Sequence, residues 1–291
     1  MNSWQLTPEK EARLTEIVND LRQFPFVKAL VLGGSRAAGG AAAGSDIDIG
    51  IYYIGNEPLN VPEIRAIAAK YDPDGASTVT GPYEWGPWVN GGAWLRTSAG
   101  NVDFIYRNIS QVEKVIAEAH AGIWGNDFEQ QPPYGFSSTI YLAETRYCIP
   151  LYDPEGIVAR LKEKVTDYPP ALKRTIIRQA LWAAEFTLLQ LPSFARKHDV
   201  YSTAGCLTRS VKNIVSALAA INEIYLLGDK RAITILSQQA KVPAGFAQAV
   251  TDILTIRPED LDANITKLRS LFESACELAE GAYAPMFQFN K

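Results

Sequence analysis

The stretch LGGSRAAGGAAAGSDIDIGIYY, residues 32–53, decides the fold of this chain. It continues an apolar, β-prone run that starts at residue 26, and its two adjacent glycines predict a strand that enters a tight turn. A segment of small residues then leads to a second β-prone run at 47–53. The stretch therefore predicts two strands joined by a glycine-rich connection.

Two aspartates, Asp46 and Asp48, begin the second of these strands. Residues i and i+2 of a strand point to the same side and lie about 7 Å apart, because each residue rises about 3.3–3.4 Å. Bare carboxylates at that distance repel each other unless a cation lies between them. Mg²⁺ prefers oxygen ligands and is commonly held by one or two carboxylates together with substrate phosphates. The pair therefore indicates a divalent-cation site.

The glycine turn supplies the other half of a phosphate site. Gly33 and Gly34 allow backbone to approach a phosphate closely, and Ser35, with the helix start that follows it, offers N–H groups and a hydroxyl to anionic oxygens. Arg36 suits either a phosphate or an acidic surface residue. The turn and the carboxylates together indicate a nucleoside triphosphate bound with metal, and phosphoryl or nucleotidyl transfer by two metal ions.

This pattern resembles the signature of the DNA polymerase β-type nucleotidyltransferase superfamily: Gly34-Ser35, ten residues, then Asp46-Ile47-Asp48. The resemblance implies a third carboxylate on a later strand, and Asp103 in NVDFIYR matches that role. Arg36 and Ser45 lie where small bacterial members often carry these residues. The candidate nucleotide-binding residues are therefore Gly33, Gly34, Ser35, Arg36 and Ser45.

The same resemblance implies a reaction. The three carboxylates, Asp46, Asp48 and Asp103, are expected to hold two Mg²⁺ ions. ATP or another nucleoside triphosphate is the expected substrate, and an acceptor hydroxyl attacks its α-phosphorus while pyrophosphate leaves. The chain looks most similar to small, stand-alone bacterial members of the antibiotic adenylyltransferase kind, which implies adenylylation of a small molecule.

The rest of the chain predicts an α+β protein with two domains. Helical and β-prone segments are mixed as far as residue 155, so we expect an N-terminal nucleotidyltransferase domain, a mixed sheet flanked by helices, at 1–155. Beyond about residue 169 the apolar periodicity is helical, and 156–291 are expected to form an all-α helical bundle that binds substrate. The main predicted helices lie at 8–23, 62–71, 110–120, 138–147, 171–191 and 201–227, and the predicted strands at 26–32, 47–53, 91–97, 101–107 and 148–152.

Composition limits the class of protein. The chain has 291 residues, of which 47% are apolar and 21% charged, enough for a sizeable core. No apolar run approaches the roughly 18 residues of a membrane-spanning helix, and the first residues lack the features of a secretory signal, so we expect a cytoplasmic protein. Three cysteines and two histidines argue against a disulfide framework, a CxxC zinc site and histidine-based chemistry.

Charge bears on the acceptor. Residues 1–150 carry 11 Lys and Arg against 17 Asp and Glu, whereas residues 151–291 carry 17 against 15. Nucleic-acid binding normally leaves a basic footprint, so a small-molecule acceptor is favoured over RNA or protein. A tRNA- or protein-modifying enzyme of toxin–antitoxin type and a nucleotide-binding module without turnover are the alternatives. The sequence does not decide between a monomer and a homodimer.

Two further features concern the acceptor side. Glu144 is a candidate general base for the acceptor hydroxyl, as a carboxylate outside the metal triad is in some antibiotic adenylyltransferases; a surface position on a short helix is the alternative. Aromatic residues gather between 83 and 124, and they suit either the core or stacking on a base or sugar face. The group comprises Tyr83, Trp85, Trp88, Trp94, Phe104, Tyr106 and Trp124.

Overall fold

In the computed structural model the chain forms two compact units. One is formed by Met1–Glu118 and Gly125–Asp167, and the other by Ala119–Trp124 and Tyr168–Lys291. The predicted α+β class, with a mixed sheet and helices followed by a helical region, is confirmed. The predicted functional boundary after residue 155 stays a prediction. The structure describes residues 6–42, 44–55, 59–72, 74–75, 77–287 and 289.

The N-terminal unit is built on a mixed sheet, in which the described residues form six strands in the order β3-β4-β5-β2-β1-β8. Strands β2 and β5 are parallel, and the other neighbours are antiparallel. Strands β6 and β7 form a separate ribbon. In chain order the elements as far as residue 164 are α1 (Pro8–Leu21), β1 (Ala29–Leu32), α2 (Gly34–Ala37), β2 (Ile47–Tyr53), α3 (Val61–Tyr71), β3 (Thr78–Val79), β4 (Gly92–Thr97), β5 (Gly100–Asn108), α4 (Ile109–His120), β6 (Asn126–Asp127), β7 (Phe136–Ser137), α5 (Thr139–Tyr147), β8 (Ile149–Tyr152) and α6 (Ile157–Lys164).

One face of this sheet carries the hydrophobic core. Side chains alternate between the two faces of a strand, so the isoleucines of β2 and the residues Val102, Phe104 and Tyr106 of β5 point to the same side. They join the apolar stripes of α1 and α3 in one buried cluster. The residues between them, Asp48 and Asp103, therefore lie on the opposite face, which we call the front face.

The second unit is helical where the structure describes it. Its helices are α7 (Pro170–Ala195), α8 (Val200–Ile221), α9 (Ala232–Leu236), α10 (Phe246–Leu254) and α11 (Leu261–Leu278), with a 3₁₀ turn before α11. The fully buried Glu185 of α7 accepts hydrogen bonds from the Tyr283 hydroxyl and, at 2.7 Å, from the Phe287 N–H. This carboxylate fixes the C-terminal segment against the bundle. None of the described helices is both long and apolar enough to cross a bilayer.

A buried ion pair joins β5 to α5 on the front face of the N-terminal unit. Arg107 donates from Nε and Nη2 to the two carboxylate oxygens of Glu144, at 2.6 Å each. Its Nη1 also donates to the carbonyl oxygens of Val89 and Tyr106, at 3.1 and 2.8 Å. The Arg107 side chain is 5% exposed, so its charge depends on these partners for compensation.

Breaking this pair should destabilise the N-terminal unit. Glu144→Leu leaves the Arg107 charge buried without its carboxylate, and we expect the free energy of unfolding to fall by about 3 kcal/mol. Adding Arg107→Met removes the buried charge and should recover part of that loss, so the two substitutions should be non-additive. Urea unfolding of the two single variants and the double variant measures this, and additive losses would contradict the interpretation.

Candidate active site

Two of the predicted carboxylates lie side by side on the front face. Asp48 of β2 and Asp103 of β5 are register partners in the parallel pair, and neighbouring strands lie about 4.8 Å apart. Asp46 precedes β2 by one residue. The structure therefore brings together the three acidic residues that the sequence predicted, although 55 residues separate the second from the third.

The electrostatics of Asp103 reflect this proximity. Burial, together with the negative charges of Asp48 and Asp46, raises the pKa of its carboxyl group to about 6. Both effects disfavour the ionised form. The three carboxylates thus form a region of negative charge that a cation would stabilise.

The fit of these residues to a divalent metal rests on their type and backbone position. Among the residues that the structure describes, no group of three or more His, Cys, Asp or Glu side chains is arranged to hold a metal ion as the side chains stand. Like charges without a cation repel one another, and an aspartate side chain can rotate on a fixed strand. Carboxylates on adjacent strands, two of them in register, are the oxygen donors that Mg²⁺ takes in proteins.

The glycine turn packs directly against one of these carboxylates. The Gly33 N–H donates to the Asp48 carbonyl oxygen at 2.8 Å, which ties the end of β1 to β2. Gly34 has a φ of 58°, and a Cβ at this position would overlap the Asp48 carboxylate. Close approach and left-handed backbone therefore both require glycine here, and Ser35 follows half-buried in the same turn.

Two cations hold the chain just before the second strand. Arg36 is buried, and its Nε donates to the Asp46 carbonyl oxygen at 2.9 Å; its Nη2 donates to the carbonyl oxygen of Ser45. Lys10 of α1 donates to that same Ser45 oxygen at 3.1 Å. Burial lowers the pKa of Lys10, as does the Arg36 charge, while Asp46 opposes them.

These contacts refine the predicted nucleotide-binding set. The Ser45 hydroxyl accepts the Ala42 N–H at 2.9 Å, so Ser45 and Arg36 are both engaged in shaping the connection that leads to Asp46. Their phosphate-binding roles stay predictions. The sequence did not predict a role for Lys10, because it lies 35 residues before its partner Ser45. The pattern of its helix indicates only amphipathic packing.

Glu144 borders the same region. It lines a small pocket of the front face together with Gly33, Gly34, Asp48 and Arg107. Both of its carboxylate oxygens accept hydrogen bonds from Arg107. This engagement disfavours the predicted role as general base and indicates that Glu144 positions α5 against the sheet.

The aromatic residues divide between core and surface. Phe104 and Tyr106 are buried in the core, which was one of the two interpretations of the aromatic group. Trp88 packs against Phe136 and Tyr141, with ring centroids 5.9 and 6.1 Å away. Trp85 and Trp94 stack on each other with their ring centroids 4.3 Å apart. Tyr83 is exposed, and Trp124 belongs to the other compact unit.

The contact between the turn and Asp48 predicts a specific cost of side chains at position 34. Gly34→Ala combines left-handed backbone with a steric overlap, and we expect it to lower the free energy of unfolding by about 3 kcal/mol. Gly39→Ala is the matched control: φ at Gly39 is 75° and no atom lies within 4 Å of its Cβ position, so about 1 kcal/mol should be lost. Equal losses in urea unfolding would contradict the close approach.

Asp103→Asn should stabilise the metal-free protein at alkaline pH. The carboxyl pKa of about 6 exceeds the value of about 3.9 in an unfolded chain, so ionisation disfavours the folded state above pH 6 and has no effect below pH 4. Since Asp103 is half-buried and screened by solvent, we expect a gain of about 1 kcal/mol at pH 8 in EDTA and none at pH 4. A loss of stability at pH 8, or an equal gain with the exposed control Asp74→Asn, would contradict this.

Comparisons with known proteins bear on this geometry. Residues 12–83 match the family model described as a nucleotidyltransferase domain, a segment that includes the glycine turn, Asp46 and Asp48 and ends before Asp103. A solved nucleotidyltransferase-like protein from Exiguobacterium sibiricum 255-15 is 7% identical, with a TM-score of 0.46, covering 94% of this chain and 77% of that one. No curated protein matches the chain.

The description of the matched family supports nucleotidyl transfer as the class of reaction here. The matched segment contains the strand, turn and paired aspartates that the structure places beside Asp103. Residues 12–83 are therefore similar to nucleotidyltransferase domains.

Proposed function

We propose that this protein transfers a nucleoside monophosphate, AMP from ATP, to a hydroxyl group of a small molecule, with Mg²⁺ bound and pyrophosphate leaving. The observation that carries the proposal is the register pairing of Asp48 with Asp103 beside the Gly33–Gly34 turn. This places carboxylates next to a backbone surface without side chains, which suits a triphosphate bound with metal. The domain match over residues 12–83 supports the same class of reaction.

In this proposal Asp46, Asp48 and Asp103 hold the metal. Bound Mg²⁺ would neutralise charge on the triphosphate and on the oxygens around the α-phosphorus as it reacts. Burial and the neighbouring negative charges disfavour the ionised form of Asp103. Because a divalent cation binds ionised carboxylates, it should bind this set more tightly when all three groups are ionised.

The remaining residues of the site bind and orient. The two glycines admit phosphate oxygens close to the backbone, and the Ser35 hydroxyl is available to donate to one of them. Arg36 and Lys10 hold the carbonyl oxygens that precede β2, so that Asp46 enters the site at a fixed position. Electrostatic catalysis depends on such fixed placement, because groups that need not reorganise stabilise charge most effectively.

The reaction is a displacement at the α-phosphorus. The acceptor oxygen forms a bond to this phosphorus and loses its proton to solvent water, while the bond from the phosphorus to the bridging oxygen breaks and its electron pair leaves with pyrophosphate. The acceptor is proposed to be small, because neither half of the chain carries a large basic excess of the kind that nucleic-acid-binding surfaces have. Residues 1–150 hold 11 basic against 17 acidic residues, and residues 151–291 hold 17 against 15.

A transfer assay tests the proposal. The protein is incubated with α-labelled ATP, Mg²⁺ and separate pools of aminoglycosides, lincosamides, tRNA and cell lysate. We expect label to enter a small-molecule pool, and Asp48→Asn to lower the rate at least 100-fold, as loss of a charge-stabilising group at the reacting phosphorus does. Asp262→Asn, an exposed aspartate of α11, is the matched control and should act as wild type.

Each other outcome changes the proposal in a defined way. Label in tRNA or protein would replace the small-molecule acceptor by a macromolecule. Binding of Mg²⁺ and ATP with label in no pool would favour a nucleotide-binding module without turnover. Unchanged transfer by Asp48→Asn would contradict the assignment of the carboxylates.

A further inference from the structure

An exposed tryptophan continues the row of carboxylates on the front face. Trp94 of β4 is the register partner of Asp103, which in turn is the partner of Asp48. Register partners point to the same face of a sheet, so the three side chains form one row across β2, β5 and β4. Trp94 is 51% exposed, whereas Ala93 and Leu95 on either side are buried in the core.

A second tryptophan fixes the first in place. Trp85 stacks on Trp94 with an interplanar angle of 20° and centroids 4.3 Å apart. The Trp85 ring lies over Gly92, where an added Cβ would be 3.2 Å from Cζ3 of the ring and would overlap the Phe104 carbonyl oxygen. The absence of a side chain at position 92 therefore lets the pair form directly above the strand.

The loop that carries Trp85 is anchored at a buried residue. Asn90 is fully buried and donates to the Tyr53 hydroxyl at 3.1 Å, while its side-chain oxygen accepts the Tyr83 N–H at 3.0 Å. The Trp85 N–H donates to the Asn90 carbonyl oxygen at 3.0 Å. The two indoles are thus held in position before any ligand binds, which lowers the entropic cost of binding a flat ring.

Exposure of this pair has a physical cost that a ligand would offset. Burying a large aromatic side chain is favourable in proportion to its area, yet half of Trp94 faces solvent beside the carboxylates. A nucleoside triphosphate bound there has its base joined to the α-phosphate through one ribose. The base therefore lies within one ribose length of the α-phosphorus, and Trp94 is within that range, one strand spacing from Asp103, about 4.8 Å between backbones.

We propose that the Trp85–Trp94 pair is the platform on which the base of the nucleoside triphosphate stacks, and that it favours purines. This inference rests on the proposed function, and it adds the residues that hold the base of the nucleotide. Stacking on an indole depends on the π-face that every base has. The larger purine ring gains more than a pyrimidine, while the face of an indole offers no hydrogen bonds that distinguish adenine from guanine.

Binding measurements separate the base from the phosphates. Calorimetric titrations with Mg²⁺ compare the non-transferable adenosine α,β-methylene triphosphate with inorganic triphosphate. We expect Trp94→Ala to weaken binding of the nucleotide by about 5- to 100-fold, the range for loss of one base–aromatic stack, and to leave inorganic triphosphate unchanged. Trp94→Phe should retain most of the nucleotide affinity. Phe128→Ala, which removes an aromatic side chain that is 71% exposed, should bind both ligands as wild type does.

Three results would overturn the inference. Unchanged nucleotide affinity in Trp94→Ala would refute it and leave the proposed function intact, since triphosphate still binds. Equal weakening of both ligands would mean that Trp94 supports the fold of the site and does not stack a base. If wild type binds neither ligand in the presence of Mg²⁺, the proposed function and this inference both fail.

Discussion

The N-terminal unit is organised around an unfavourable interaction, the repulsion between carboxylates that the parallel pairing of β2 and β5 sets side by side. Asp48 and Asp103 occupy the same register on neighbouring strands, and this raises the pKa of Asp103 in addition to the effect of burial. The neighbouring features keep these groups close. Gly34 lets the turn lie against Asp48, and Arg36 fixes the backbone at Asp46. Proteins commonly accept such strain at functional sites, where it is compensated by the rest of the fold.

The sequence predicted the local elements well because their signals are local. The strand 47–53 and the hairpin strands around residue 100 follow from alternation, and α1 follows from apolar spacing with Thr7 accepting the Lys10 N–H at its start. The motif also pointed to Asp46 and Asp48, whose role in binding metal stays a prediction. The first predicted strand, 26–32, was too long, since the strand spans only Ala29–Leu32. Apolar character alone does not report where a strand begins.

The tertiary contacts of the site were beyond the sequence. The residues around Asp103 do not indicate that β5 pairs in parallel with β2, because the register joins residues that are 55 positions apart in the sequence. The partners of Lys10 and Glu144 could not be predicted either. Lys10 contacts the Ser45 carbonyl oxygen and Glu144 contacts Arg107, and both partners are far away in the sequence. The aromatic residues lie in one segment of the sequence, which does not indicate which of them are buried. The register of β4 and β5 places Trp94 beside Asp103 on the exposed face and Phe104 on the buried face.

The central claim is that Asp48 and Asp103 hold a divalent cation with a nucleotide. The most direct measurement is a crystal structure with Mn²⁺ and adenosine α,β-methylene triphosphate, in which anomalous scattering locates the metal. We expect at least one anomalous peak at a coordination distance of about 2 Å from oxygens of both carboxylates and from phosphate oxygens. Nucleotide bound with its metal elsewhere, and no peak between Asp48 and Asp103, would contradict it.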